Sequence, residues 1–294
     1  IKEKLTYYNN LYDIYHLYKD TVNVKTVNEK AGKETVEVSE DLFNLLLFSK
    51  TMCGITKGKT NIALGSVLSI WHTYRENGIA DPENARLPEE IRLKAANEHT
   101  NIEDLIYYTE GSGKDKKFYV KFLDPELRLD VGGIAKGYSI ARTCEYIKEL
   151  GYTNILVSVG GNIAAVGNKP DGNPWKIGIE NPDTESAEEY VERIYLNDGE
   201  CIATSGDYQR YYYVNGVKYC HIIDPETLYP KSDFACVSVI TTDGGSADAF
   251  STALYLMSLE EGLEFARAND LDVLWVYGNG TKIYSDNFKE RLLN

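Results

Sequence analysis

The sequence lacks the features that identify several common protein classes. Its 294 residues include five cysteines but no Cys-x-x-Cys pair, so zinc or dithiol chemistry has no support and buried free thiols are expected. No apolar run approaches the roughly 20 residues that a membrane-spanning helix requires. The P-loop pattern Gly-x-x-x-x-Gly-Lys-Ser/Thr, the dinucleotide-binding pattern Gly-x-Gly-x-x-Gly and the nucleophile-elbow pattern Gly-x-Ser-x-Gly are all absent, which removes those three interpretations.

Positive charge is also scarce. Lys and Arg number 31 against 45 Asp and Glu, which gives a formal net charge of −14 at pH 7. No basic block or basic stripe with interleaved aromatics occurs, so nucleic-acid binding is not expected. An anionic ligand would meet an unfavourable field, and a metal ion or a helix N-terminus would have to supply the local attraction.

Apolar spacing predicts blocks of helix and blocks of short strands. Helices are expected from the start of the chain to about Asp20 and at Ser39–Met52, Ile134–Leu150, Ala247–Met257 and Leu259–Asn269. The apolar segment Ile62–Tyr74 precedes polar, loop-like sequence at Glu76–Glu98 that includes one short helix. Strands are expected at Leu105–Tyr108, Lys117–Leu123, Arg128–Val131, Ile155–Val159, Ile163–Val166, Trp175–Ile179, Tyr190–Leu196, Ile202–Ala203, Gln209–Val214, Lys218–Ile223, Val237–Thr241 and Val273–Tyr277.

This order of elements favours the α+β fold class. Runs of strands bracketed by runs of helices are typical of layered α+β domains rather than of strictly alternating α/β domains. We therefore expect a single layered domain over residues 1–294, with mixed or antiparallel sheets and packed helices. The chain begins with Ile1 rather than methionine, and we take the domain to be N-terminally truncated.

The segment Leu129–Tyr138 is the most informative stretch of the chain. Gly132 and Gly133 permit positive φ or a close backbone approach, and Lys136 falls in the first turn of the predicted helix. A cation is unfavourable at the positive end of a helix dipole, so Lys136 indicates an anion that it neutralises. The alternative is an ordinary strand-to-helix turn with a solvated lysine.

Asp248 and Thr252 are candidate metal ligands. They lie four residues apart in a predicted helix, so they share one of its faces. A carboxylate, a hydroxyl and a nearby carbonyl suit a hard cation such as Mg²⁺. The alternative is that Ser246 or Asp248 caps the helix and Thr252 is a bystander.

His221 is a candidate general base. It ends a predicted strand and precedes the Asp224-Pro225 turn, where an imidazole can accept a proton near neutral pH. The alternative is a structural histidine.

Six segments that carry these residues and the glycine turns stand in a fixed order along the chain. They are Asp130–Tyr138, Gly160–Gly161, Pro174–Ile179, Ala203–Asp207, His221–Pro225 and Ala247–Leu254. Together they resemble the ApbE family of FAD:protein FMN transferases. The resemblance implies a single α+β domain that binds FAD and Mg²⁺, transfers FMN to a threonine or serine hydroxyl of a target flavoprotein, and releases AMP.

The resemblance also implies roles for individual residues. Those that would contact FAD are Tyr18, Lys59, Thr60, Asn61, Asp130, Lys136 and Ile222. The metal ligands would be the backbone carbonyls of Gly133 and Ser251, the Asp248 carboxylate and the Thr252 hydroxyl. His221 would remove the proton from the acceptor hydroxyl, and with Asp248 it completes the catalytic pair.

The chain departs from the family pattern at several positions. Lys59, Thr60 and Asn61 replace a run of small, aromatic and acidic residues, and Asn162 stands where an acidic residue is common. Leu228 stands where the family usually has glycine.

Two other functions fit the same residues. One is a Mg²⁺-dependent FAD pyrophosphatase, in which water replaces the acceptor hydroxyl and the products are FMN and AMP. The other is a non-catalytic FAD-binding protein. The resemblance also implies an extracytoplasmic location, with a lipid anchor at the membrane in the full-length precursor.

Overall fold

The computed structural model describes residues 1–293. Its helices are α1 (Lys2–Tyr12), α2 (Val24–Glu29), α3 (Glu40–Ile55), α4 (Gly65–Ala80), α5 (Glu90–Asn97), α6 (Ala135–Glu149), α7 (Gly244–Leu256) and α8 (Leu259–Ala268). Its strands are β1 (Val36–Val38), β2 (Leu105–Glu110), β3 (Lys117–Phe122), β4 (Ile155–Val159), β5 (Asn162–Val166), β6 (Trp175–Glu180), β7 (Tyr190–Leu196), β8 (Cys201–Gly206), β9 (Tyr211–Val214), β10 (Val217–Cys220), β11 (Cys236–Thr241), β12 (Asp272–Val276) and β13 (Lys282–Tyr284). None of these helices combines the length and the apolar character needed to cross a bilayer.

A six-stranded antiparallel sheet forms the centre of the fold. Its strand order is β13-β12-β11-β8-β5-β4. Strand β11 is buried on both faces, because Val237 and Val239 join one hydrophobic cluster while Cys236 and Ile240 join another. This double burial explains why β11 reads as a nearly continuous apolar run rather than as an alternating one.

The central sheet is covered on both faces. On one face, Ile147 of α6 and Ala247 of α7 pack with Ala203 of β8. On the other face lies the β6–β7 hairpin, whose Ile179 and Leu196 join a second apolar cluster. Helices, sheet and hairpin form successive layers, which confirms the α+β expectation.

The first half of the chain adds two smaller units. The antiparallel sheet β1-β3-β2 packs on α3, where the rings of Phe43 and Phe118 lie 5.1 Å apart. Ser39 caps α3 by accepting a hydrogen bond from the Leu42 N–H, as the sequence predicts. The β9–β10 ribbon packs on α4, with Trp71 against its tyrosines.

Helices α6 and α7 are in close contact at Gly137. A Cβ atom at this position would lie 1.9 Å from the Gly244 carbonyl oxygen and 2.6 Å from the Asp248 Cβ. Only glycine permits that approach. The contact places the first turn of α6 directly against the early part of α7, and with it the two segments that the sequence singles out.

The N-terminal helix is shorter than the prediction, since α1 ends at Tyr12 rather than near Asp20. Asp13 Oδ1 accepts hydrogen bonds from the backbone N–H groups of Tyr15 (2.6 Å) and His16 (3.1 Å). These side-chain bonds compete with helical backbone bonds and end the helix. The spacing of apolar residues contains no information about these side-chain bonds, so it did not predict this helix end.

The predicted strand Arg128–Val131 is wrong. The segment makes a single bridge, between Leu64 and Arg128. The Asn28 side chain takes the place of a strand partner, because its amide donates to the Leu129 carbonyl (2.9 Å) and accepts from the Leu129 N–H (2.8 Å). The Asp130 N–H donates to the Ile62 carbonyl. The backbone groups are thus satisfied without a ladder.

Other differences concern short elements and the ends of longer ones. The apolar segment Ile62–Tyr74 and the first residues of the loop-like stretch form α4, while α2, β1 and β13 were not predicted. Helix α2 has six residues and the two strands have three each. Elements of that length show too little periodicity for sequence patterns to detect.

We predict that Gly137→Ala destabilises the protein by about 1–3 kcal/mol or more, because the added methyl group overpacks the α6–α7 contact. The matched control is Gly54→Ala in α3, where a Cβ meets nothing within 4 Å. That change should be neutral or stabilise by up to about 1 kcal/mol. Urea unfolding midpoints measure both effects, and equal midpoints for the two variants would contradict the assigned contact.

Candidate functional site

A cavity of about 1500 Å³ lies between the central sheet, α1, α4 and the turn before α6. Pockets for drug-sized ligands measure about 300–1,000 Å³, so this cavity has room for a larger molecule. The predicted site residues that line it are Lys59, Thr60, Asn61, Asp130, Gly133, Lys136, His221, Ile222 and Thr252. Residues from distant parts of the sequence therefore meet around one space.

Lys136 lines the cavity and pairs with Asp248, which like Ser251 is buried and is not among the lining residues. Its Nζ lies 3.1 Å from Asp248 Oδ1 and donates to the Gly132 carbonyl oxygen at 3.0 Å. The Gly137 N–H, at the start of α6, donates to Asp248 Oδ2 at 3.0 Å. The sequence indicated that the lysine in the first helical turn neutralises an anion. The structure supplies one anion, which is the buried carboxylate of α7.

Asp248 does not cap its own helix. The cap of α7 is Asp243, whose side chain accepts from the Ser246 N–H at 2.7 Å. The capping alternative for Ser246 or Asp248 is therefore wrong. Asp248 is held instead by α6, so its position depends on the contact between the two helices.

Hydroxyl groups cluster one helical turn beyond Asp248. The hydroxyls of Ser251 and Thr252 both donate to the Asp248 carbonyl, at 3.0 and 3.2 Å. Ser205 Oγ on β8 lies 2.9 Å from Ser251 Oγ and 3.2 Å from Thr252 Oγ1. Gly133 abuts this cluster, because its Cβ position is 3.4 Å from Thr252 Oγ1. Three hydroxyl groups and the Asp248 backbone carbonyl therefore lie close together beside Gly133.

The lysine side chain crosses the Gly160 turn on its way to Asp248. Gly160 has a φ of +57°, a conformation that glycine adopts without strain. A Cβ at Gly160 would lie 3.1 Å from Cδ of Lys136. The first glycine turn after β4 thus leaves room for the lysine stem.

The loop Lys59–Asn61 lines the cavity but is also tied to the fold. Lys59 Nζ pairs with Asp224 Oδ1 (3.2 Å) and Glu226 Oε1 (2.9 Å). Burial opposes the charge of Lys59, but the hydrogen bonds to both carboxylates outweigh burial and raise its pKa. The Thr60 hydroxyl donates to the Ala249 carbonyl of α7 at 2.7 Å. Contacts of this loop with a ligand stay a prediction.

His221 lines the cavity just beyond β10 as a neutral imidazole. Burial, together with the nearby charges of Arg210 and Arg75, lowers its pKa from an ordinary value of 6.5 to about 4. Its Nδ1 is buried and has no hydrogen-bond partner among the described residues. The imidazole can therefore accept a proton at neutral pH.

Asp130 faces the same cavity from the turn before α6. Burial raises the pKa of its carboxyl, although the hydrogen bond that Oδ1 accepts from the Gly132 N–H (2.8 Å) acts in the opposite direction. Its charge is also offset by His72, Lys136 and Arg210. Asp130 is thus an acidic group with basic neighbours.

Sequence reasoning missed part of the lining. Tyr18, predicted to contact FAD, is not among the lining residues and donates its hydroxyl to Asp13 instead. Tyr15 lines the cavity in the same region, and so do Arg75 on α4 and Arg210 before β9. Neither arginine belongs to a recognisable sequence motif. Only the fold brings them close to His221.

Two departures from the family pattern have clear structural settings. Leu228 adopts a left-handed conformation with φ +64°, the region that glycine occupies without strain. Its burial and the hydrogen bond from the Trp71 indole to its carbonyl hold it there. Asn162 is buried at the start of β5, and its side-chain atoms have no hydrogen-bond partner within residues 1–293.

The chain is similar in sequence to known proteins of one family. The profile of the ApbE family matches residues 1–275. A protein of Haemophilus influenzae named FAD:protein FMN transferase is 31% identical over 258 residues, which cover 87% of this chain and 72% of the relative. A Vibrio cholerae protein of the same name is 32% identical over 274 residues, which cover 93% of this chain and 76% of the relative.

Solved structures of ApbE proteins are similar in fold to this chain. The ApbE protein of Thermotoga maritima superposes with a TM-score of 0.83 at 28% identity, covering 100% of this chain and 90% of the other. The flavin transferase ApbE of Vibrio cholerae superposes with a TM-score of 0.77, also at 28% identity, covering 99% of this chain and 88% of the other.

We predict that His221 stays neutral down to about pH 4, whereas the Asp124 hydrogen bond raises the pKa of His99. Because the folded pKa of His221 lies below its ordinary 6.5, the unfolded chain binds more protons between those two values. The contribution of His221 to stability is thus present above pH 6.5 and is lost as the pH falls towards 4. NMR titration of the imidazole protons measures both pKa values. A His221 midpoint above that of His99 would contradict the assigned environment.

Proposed function

The chain belongs to the ApbE family, and from this we propose that it is an FAD:protein FMN transferase. The reaction is Mg²⁺-dependent. A threonine or serine hydroxyl of an acceptor flavoprotein attacks the FMN-side phosphorus of FAD, a phosphoester bond to FMN forms, and AMP leaves. The names of the curated relatives support the transferase. The observation that carries the proposal is the cavity that both His221 and Lys136 line, with Lys136 paired to the buried Asp248 behind it.

The oxygen cluster at α7 fits a magnesium site. Mg²⁺ prefers oxygen ligands and usually takes few from the protein, with phosphate and water completing its shell. The Asp248 carboxylate, the Thr252 hydroxyl and the carbonyls of Gly133 and Ser251 would hold it. No three His, Cys, Asp or Glu side chains within residues 1–293 form a metal-binding group; in the proposed set Asp248 would be the one charged ligand and the others would be neutral oxygens. When bound, the ion would neutralise charge that develops on the diphosphate.

Lys136 and the start of α6 bind the same diphosphate. The positive end of a helix dipole favours an anion, and Lys136 adds a full charge there. This local positive charge is needed because the protein has a formal net charge of −14, which repels an anionic substrate. Phosphoryl transfer depends chiefly on positioning and on charge stabilisation, and the cavity wall supplies both.

His221 takes the proton of the acceptor hydroxyl. Its imidazole is unprotonated at neutral pH, and the arginines beside it lower its pKa. The diphosphate of FAD brings negative charge into the same cavity, which offsets the arginine field and makes the imidazole more basic when substrate is bound. The base therefore gains strength at the stage when it is needed.

The alternatives differ in what happens to the phosphorus. A pyrophosphatase would release free FMN and AMP, because water would take the place of the acceptor hydroxyl. A carrier would hold FAD intact in the presence of Mg²⁺. The names of the relatives favour transfer to an acceptor hydroxyl over both alternatives.

A membrane-anchored, extracytoplasmic location belongs to the same proposal. It rests on the family resemblance, since location leaves no mark in the residues described. Fractionation of cells that express the full-length protein tests it.

We predict that the protein, incubated with FAD, Mg²⁺ and a threonine-bearing acceptor flavoprotein, attaches FMN covalently and releases AMP. Asp248→Ala should lower the rate by at least about a hundredfold, because a central metal ligand is lost. EDTA should stop the wild-type reaction. Mass spectrometry of the acceptor measures the product. Asp286→Asn, an exposed carboxylate paired with Arg267, is the matched control and should leave the rate unchanged. Free FMN and AMP without acceptor labelling would indicate the pyrophosphatase instead.

We also predict that His221→Gln lowers kcat by about 10²–10⁴-fold, the usual contribution of a general base. Affinity for FAD should change little, and flavin fluorescence measures it. Because the pKa of His221 in the free enzyme is about 4, kcat/KM should not fall with protonation of this group between pH 8 and pH 6. A wild-type rate in His221→Gln would remove the histidine from the mechanism.

A further inference from the structure

Lys136 holds a cation directly beside the carboxylate proposed for magnesium. Its Nζ contacts Asp248 Oδ1 at 3.1 Å and the Gly132 carbonyl oxygen at 3.0 Å. The Asp248 side chain is 3% exposed, whereas the Lys136 side chain is 38% exposed. A buried carboxylate needs a charged or hydrogen-bonding partner, and the exposed lysine is the partner that can move.

The two oxygens of Asp248 are held in different ways. Oδ2 accepts a backbone hydrogen bond from Gly137 at 3.0 Å and lies 3.4 Å from the lysine ammonium, whereas the closest contact of Oδ1 is that ammonium, at 3.1 Å. The backbone bond is fixed by the α6–α7 contact and keeps the carboxylate in place. The lysine contact depends on a flexible four-carbon chain, which crosses the Gly160 turn and lines the cavity.

We infer that Lys136 is a positioning residue that exchanges partners. Its ammonium pairs with Asp248 until a divalent cation binds there, and it then turns into the cavity to the diphosphate of FAD. The inference rests on the metal site of the proposed function. In the exchange the ion pair with Asp248 and the hydrogen bond to the Gly132 carbonyl break. Two contacts form, Asp248 with the metal and Lys136 with a phosphate oxygen. Metal binding thereby prepares the cavity for an anionic substrate.

The first test measures Mg²⁺ binding by calorimetry without FAD. Lys136→Met should bind Mg²⁺ roughly five- to tenfold more tightly than the wild type, because the competing ammonium is gone. Lys136→Arg keeps a competing cation and should bind close to the wild-type value. Lys148→Met, at an exposed position near the end of the same helix, is the matched control and should not change binding. Equal or weaker binding by Lys136→Met, or no Mg²⁺ binding by any form, would overturn the inference.

The second test uses only the wild-type protein, so it does not depend on how a variant folds. Amine acetylation read by mass spectrometry reports how free each lysine is. Mg²⁺ alone should raise the labelling rate of Lys136 several-fold relative to Lys148, because the ion pair with Asp248 is broken. Adding FAD with Mg²⁺ should lower it again. A Lys136 acetylation rate that does not change on addition of Mg²⁺ would contradict the proposed exchange of partners.

The exchange and the transferase can fail separately. If acceptor labelling fails while Lys136 still responds to Mg²⁺ alone, the transferase is rejected and the exchange stands. If FMN transfer proceeds while Lys136 ignores Mg²⁺, the exchange is rejected and the transferase stands.

Discussion

The close contact between α6 and α7 at Gly137 is the constraint on which the rest of the site depends. It brings the backbone N–H of one helix to the Asp248 carboxylate of the other, and the central sheet fixes both helices from below. Without that close approach, Lys136 would be a surface lysine, and the Asp248 carboxylate would lack its ion-pair and hydrogen-bond partners on α6. A single missing Cβ therefore determines where the acid of α7, the lysine of α6 and the hydroxyls beyond them meet.

The electrostatics of the cavity follow from this arrangement and oppose the charge of the whole protein. A chain with a net charge of −14 gathers Lys136, Arg75 and Arg210 around one space, and the start of α6 adds its dipole there. The same arginines help to keep His221 neutral. One cluster of positive charge thus attracts an anionic substrate and leaves the base unprotonated, so binding and proton transfer share a cause.

Local sequence signals predicted much of the fold and of the site. Helix α3 begins at its Ser39 cap, α6 lies within one residue of its predicted bounds, and most strands of the central sheet appear where alternation or apolar runs placed them. Two of the predictions failed where a side chain replaced a backbone partner. Asp13 ends α1 early, and Asn28 satisfies the groups of Leu129 that a strand would have used. Such bonds join residues by geometry, which spacing does not encode.

The sequence by itself determined the fold class, the family and the residue types that carry the chemistry, because periodicity, capping and short motifs are local properties of a chain. Only the tertiary structure decided which of those residues meet. It paired Lys136 with Asp248 across 112 positions of sequence, assigned the cap of α7 to Asp243 rather than Asp248, and placed Tyr15 rather than Tyr18 at the cavity. Contacts between distant segments arise from the packing of helices on a sheet, so no local pattern contains them.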